Sequence, residues 1–128
     1  MLEGVLSEWG RGEFWNAEPY ADDVVFVVSG PDGAEYHGID GLTEAWRDFL
    51  SAWADFRIET ERVVPGKAGT YALLIRLLAR GKGSGVDIDA EVANVVNVHD
   101  GRIVRLEMFW ERQAALRAAG AQEGTEPR

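Results

Sequence analysis

The stretch from Val86 to Arg112, VDIDAEVANVVNVHDGRIVRLEMFWER, constrains the fold more than any other, because two runs rich in β-branched residues meet at His99-Asp100-Gly101. Branched side chains favour a pleated backbone and Gly101 can take the positive φ of a tight turn, so the stretch reads as a β-hairpin. A three-residue loop ending in Gly101 sets Val98 opposite Arg102, Val96 opposite Val104 and Asn94 opposite Leu106. Side chains alternate across a strand, so Val92, Asn94, Val96, Val104, Leu106, Met108 and Trp110 share one face, apolar but for a single amide. That amide needs a partner, in the core or on a ligand, since leaving it unpaired costs on the order of 1–3 kcal/mol.

A chain of 128 residues fits one domain, and at that size roughly two thirds of the unfolded surface can be buried, enough for a core without staples. Cysteine is absent and the two histidines lie far apart, so neither disulfides nor a metal centre is expected. A formal charge of −9 argues against nucleic acid, whose binding rests on clustered Lys and Arg. The N-terminus, MLEGVLSEWGRGEFW, has no basic leader, and no stretch approaches the ~18 apolar residues of a membrane span. A soluble, cytoplasmic protein without a membrane partner is therefore expected.

In chain order, Leu2, Val5, Leu6 and Trp9 have the spacing of a short amphipathic helix that Gly10 and Gly12 end. A second short helix is expected over Glu13 to Tyr20, carrying Phe14, Trp15 and Tyr20. VVFVVS reads as a first strand, and Ser29-Gly30-Pro31-Asp32-Gly33 as the turn after it. Asp40 is placed to cap the clearest helix, whose apolar stripe is Leu42, Ala45, Trp46, Phe49, Leu50 and Trp53. Phe56 to Val64 alternates as a strand. Thr70 to Arg80 is apolar on both faces, which predicts a strand deep in a sheet covered on both sides, with helix the competing assignment. Gly81 to Gly85 is a loop, Glu111 to Ala119 a terminal helix, and Gly120 to Arg128 a small, polar tail expected to be disordered. Helices followed by consecutive strands make the class α+β.

The order of these elements, with Phe14-Trp15-Asn16, Tyr20-Ala21-Asp22-Asp23-Val24-Val25-Phe26, Gly38-Ile39-Asp40-Gly41-Leu42 and Asp100-Gly101-Arg102-Ile103-Val104, resembles the SnoaL-like branch of the NTF2-like superfamily. The resemblance implies a single domain over residues 1–119, a cone in which a curved antiparallel sheet wraps around N-terminal helices and holds an apolar pocket. The superfamily contains polyketide cyclases, ketosteroid isomerases, epoxide hydrolases, dehydratases and members that only bind or assemble, so residues must choose among them. In the isomerases the hydrogen-bond-donating Asp aligns with Asn94, the base Asp with Val28 and the helix Tyr with about Val5; two of three parts are missing. The polyketide cyclases place an acid/base Asp where the last strand enters the terminal helix, which is Glu111 here, and their assisting His falls near Asn94. The epoxide hydrolases need two Asp on neighbouring strands, and Thr70 to Arg80 has none.

Glu111 and Asn94 are accordingly the candidate catalytic residues, each with a plainer alternative: an acidic residue favourable to a helix dipole, and a satisfied core amide. Arg76 faces the pocket beside Asn94 if Arg80 lies near Val86; otherwise it pairs with a structural carboxylate or points outward. Trp15, Tyr20, Trp46, Trp53, Met108 and Trp110 are expected to line the cavity or to be core. His37 reads as solvated, and Asp87, Asp89 and Glu91 as an edge facing away from Asn94.

The expected function is binding of a small apolar molecule bearing a carbonyl or carboxylate, with cofactor-free acid/base chemistry of the cyclase, isomerase or dehydratase type. The competing class is a non-catalytic ligand-binding or dimerisation module. A homodimer is expected to bury Ala93, Val95, Ile103 and Phe109 on the outer face of the sheet.

Overall fold

The computed structural model describes residues 2–28, 33–83 and 85–121. The elements are α1 (Leu2–Gly10), β1 (Tyr20–Val28), β2 (Ala34–His37), α2 (Gly38–Leu50), β3 (Trp53–Pro65), β4 (Thr70–Gly81), β5 (Asp87–His99), β6 (Arg102–Phe109) and α3 (Arg112–Ala119). One curved, unclosed sheet runs β2-β1-β6-β5-β4-β3. Its pairs are antiparallel, as expected of the curved sheet, except β1 with β6, which is parallel.

The run from Thr70 is a strand, and it is covered on both sides. Leu73, Ile75 and Leu77 join the inner core with Val5, Trp9 and Trp46 from α1 and α2. The alternate residues Ala72 and Leu74 face outward and are buried with Ala93 and Val95 under Ala115, Leu116 and Ala119 of α3. Small residues along α3 let it approach the sheet closely. The outer-face cover that a second copy was expected to supply thus comes from the chain's own helix, with Phe109 packed against it.

Several expectations are corrected. The hairpin turn has two residues, Asp100 and Gly101, with φ of 52° and 76°, the type I′ geometry that matches strand twist. His99 faces Arg102 and Val98 faces Ile103, and the register then shifts so that Asn97 faces Arg105, Val96 faces Leu106 and Asn94 faces Met108. The extra residue is Val104, a bulge that turns Ile103 inward to 1% exposure, away from the outer face assigned to it. Beyond the bulge the parity is restored, so Val92, Asn94, Val96, Leu106 and Met108 do lie on the inner side.

Glu13 to Tyr20 is not helical. The Asn16 side chain accepts from the Glu18 amide at 3.1 Å and donates to Glu8 of α1 at 2.9 Å, and Pro19 follows; both oppose a helix. Tyr20 instead begins β1. The polar stretch before α2 contains the short strand β2, and His37 precedes α2 without a side-chain cap, leaving Asp40 in the first turn. Trp53 starts β3 and does not extend the helix stripe. Gly120 and Ala121 belong to the end of α3: their amides donate to Arg117 and Leu116 at 3.1 and 2.8 Å, and Ala121 is buried, the Schellman arrangement. The rest of the expected tail, the turn residues Ser29 to Asp32 and loop residue Ser84 lie outside the described residues.

Candidate functional site

A cavity of about 240 Å³ lies between α2 and the inner face of the sheet. Across its floor Val28, Met108 and Asn94 stand side by side in register on β1, β6 and β5. Ile75 and Val92 form the next paired row, and Ile58 faces Leu77 beyond them. Ala45, Trp46, Asp48 and Phe49 of α2 close the other side. Packing of the rings fixes this wall: Trp46 stacks on Phe14 at 4.5 Å and meets Trp9 edge-on at 5.7 Å, so the indole is held from behind by α1 and the segment after it.

Polar groups are few. Asn94 is 6% exposed, and its amide makes no hydrogen bond to a described side chain or backbone group. An amide offers two donors and an acceptor, so a ligand oxygen beside it would be bound at little desolvation cost to the protein. Tyr36 borders the space from β2 and Asp48 from α2. Asp48 is exposed, which puts its carboxylate at the rim. Neither Tyr36 nor Asp48 was singled out from the sequence. Asp48 lies on the polar side of the α2 stripe, and β2 was not foreseen, so periodicity pointed away from both.

Of the residues expected at the site, Asn94, Trp46 and Met108 line the cavity. Arg76 does not. The strands pair Arg80 with Asp87 and Arg76 with Glu91, one residue from the expected parity, while Asn94 faces Leu73. Arg76 therefore lies on the outer face, where its guanidinium donates two bonds of 2.6 Å to Asp89. That pairing holds the Asp89 carboxyl below its usual range. Glu111 is exposed, flanks the start of α3 without capping it, and is outside the lining. The next residue, Arg112, turns back to the sheet. Trp15 and Trp110 are 55% and 51% exposed. Tyr20 is core, accepting a hydrogen bond from Trp9, and Trp53 packs edge-on against Phe49.

Among the described residues no cluster of side chains could hold a metal ion, and no helix is long and apolar enough to cross a membrane. A curved sheet with a helix laid across its concave face, and a mostly apolar cavity between the two, defines an NTF2-like fold. The SnoaL-like domain family matches residues 15–106, and the chain belongs to that family. A protein of ketosteroid isomerase-like fold from Catenulispora acidiphila DSM 44928, crystallised with trimethylamine, aligns with a TM-score of 0.74 at 13% identity over 98% of this chain and 96% of its own. TerC, co-crystallised with polyporic acid, aligns at 0.73 and 12% identity over 92% and 95%. A candidate SnoaL-like polyketide cyclase from Jannaschia sp. CCS1 aligns at 0.70 and 16% identity over 94% and 92%. Identities this low show the fold alone. No curated protein matches the sequence significantly.

Proposed function

We propose that this chain binds a small, mostly apolar molecule in the cavity and hydrogen-bonds an oxygen of that molecule through Asn94. One observation carries this: a buried amide without a described protein partner, in a lining whose other polar groups are only Tyr36, the Trp46 indole N–H and Asp48 at the rim. That two relatives were crystallised with small organic molecules is in keeping with it. The position aligned with the isomerase base is Val28, which borders the cavity as a hydrocarbon, and this favours binding over turnover of the isomerase type. The test is titration with 2-acetylnaphthalene and with 2-ethylnaphthalene, similar in shape but lacking the oxygen, followed by tryptophan fluorescence. Asn94→Leu keeps the approximate volume. It should weaken the ketone by about the worth of one hydrogen bond, roughly 1 kcal/mol, and leave the hydrocarbon unchanged. Equal binding of the ketone to both proteins overturns the role of Asn94.

A second reading, acid/base turnover of the cyclase, isomerase or dehydratase type, is favoured by Asp48 at the rim. Under it Asp48, in place of Glu111, transfers the proton while Asn94 polarises the oxygen. The homodimer stays in the proposal on narrower ground, the exposed Trp110 at the end of β6. Light scattering showing a monomer at micromolar concentration would remove it.

A further inference from the structure

The lining bears on which charge an occupant of the cavity can carry. Five rings border the cavity: Phe26, Tyr36, Trp46, Phe49 and Phe56. They are grouped, with Phe26 stacked with Tyr36 at 6.1 Å and with Trp46 at 6.3 Å, and Phe49 meeting Phe56 edge-on at 5.1 Å. Aromatic faces carry negative potential and attract a cation within about 6 Å of the ring centre. Asp48 is the sole charged side chain of the described lining, and its carboxylate makes no ion pair or hydrogen bond with a described residue. No Lys, Arg or His lines the cavity among those residues. An anionic ligand would meet the like charge of Asp48 and no counter-ion in the described lining, with only the neutral donors of Asn94, Tyr36 and the unpartnered Trp46 indole to receive it. A cation meets the opposite: an unpaired carboxylate at the rim, rings behind it, and the weak long-range pull of a protein with net charge −9.

We propose, building on the ligand-binding reading of this same cavity, that its occupant is an organic cation, an alkylammonium or quaternary ammonium compound. Its apolar body fills the ring-lined space and its charged nitrogen lies toward Asp48. A quaternary nitrogen needs no hydrogen-bond acceptor, so the charge of Asp48 and the neighbouring rings can hold it without a fixed donor geometry. A neutral oxygen at Asn94 is compatible with a cation at the rim.

Phenyltrimethylammonium and tert-butylbenzene test this, since they share a shape and differ in having N⁺ or carbon at the centre of the methyl cluster. Both are titrated into the full chain and into Asp48→Asn, a change at an exposed helix position whose fold circular dichroism checks, with tryptophan fluorescence and calorimetry as readouts. The expected result is that Asp48→Asn weakens phenyltrimethylammonium roughly fivefold and leaves tert-butylbenzene unchanged, the difference narrowing as salt is raised. If both compounds bind and the substitution changes neither, the cation proposal is overturned and the cavity reading stands. If neither binds and 2-acetylnaphthalene also fails, both are overturned.

Discussion

Gly66, in the turn after β3, lies directly against the carbonyl oxygen of Ala119 at the end of α3, so close that a Cβ at position 66 would overlap that oxygen. The adjacent Lys67 amide donates to the same oxygen at 2.9 Å. The turn thereby satisfies a terminal helix carbonyl that would otherwise lack a partner, and the bare backbone at Gly66 is what lets the helix come down onto the outer face.

Gly66→Ala should therefore push the end of α3 off the sheet. The obstruction is backbone, which cannot swing aside as a side chain could, and a cost of about 1–3 kcal/mol is expected, in the range of other overpacking changes. Urea denaturation should show a lower midpoint at unchanged slope. Binding in the cavity, on the opposite face, should be unaffected.

Gly120 and Ala121 should matter although they look like the start of a tail. A chain ending at Ala119 loses two hydrogen bonds and the buried Ala121 methyl. It should melt about 4 °C below a chain ending at Ala121, roughly 1 kcal/mol for a domain of this size. Equal melting temperatures would show that α3 does not depend on its cap.

Local pattern made part of this legible and hid the rest. The double-sided apolar run of β4, the stripe of α2 and the alternation of β5 each follow from side-chain period, and they place Asn94 and Trp46 on the cavity. Period says nothing about register. One residue in the β4–β5 pairing decided that Arg76 faces Asp89 outside, and one bulge at Val104 turned Ile103 inward. Asp48 was invisible for a related reason: a polar residue beside an apolar stripe borders a cavity only where the opposite wall falls short, and that depends on the curvature of the whole sheet.

Arg112 ties α3 to the sheet from its first turn. Its guanidinium donates to the Ile75 carbonyl at 2.9 Å, the Val92 carbonyl at 3.2 Å and Glu61 at 2.6 Å, reaching three adjacent strands at once. Arg112→Met should cost about 2 kcal/mol, since hydrogen bonds to a charged group contribute roughly 1.5–3 kcal/mol. Arg112→Lys should recover only a minor part, because an ammonium cannot present a fork to acceptors on separate strands. Chemical denaturation of the three proteins checks both statements.

Tyr20 predicts an alkaline limit. Burial pushes its phenol from the ordinary value near 10 up to about 12, against the opposing effect of the Trp9 hydrogen bond. The folded state holds this proton more tightly than the unfolded chain. The contribution is therefore complete below pH 10 and is lost as pH rises through 12. The stability difference between wild type and Tyr20→Phe should shrink across that window, and an ultraviolet titration should find one of the three tyrosines ionising well after the others. A wild type and variant that decline in parallel would contradict this.

The parallel pairing of β1 with β6 has a consequence for how the chain reaches its native state. Strands β3 to β6 follow one another in sequence and can zip as a meander, each pairing with the strand just made. The two-stranded β1–β2 edge can join only when Tyr20 finds Ile103, which closes a loop containing nearly all of the intervening chain before any contact repays the lost entropy. The wall carrying Phe26, Val28 and Tyr36 is thus the last to arrive, and a chain still folding would hold half a pocket, its rings open to water and to other chains, until that edge docks.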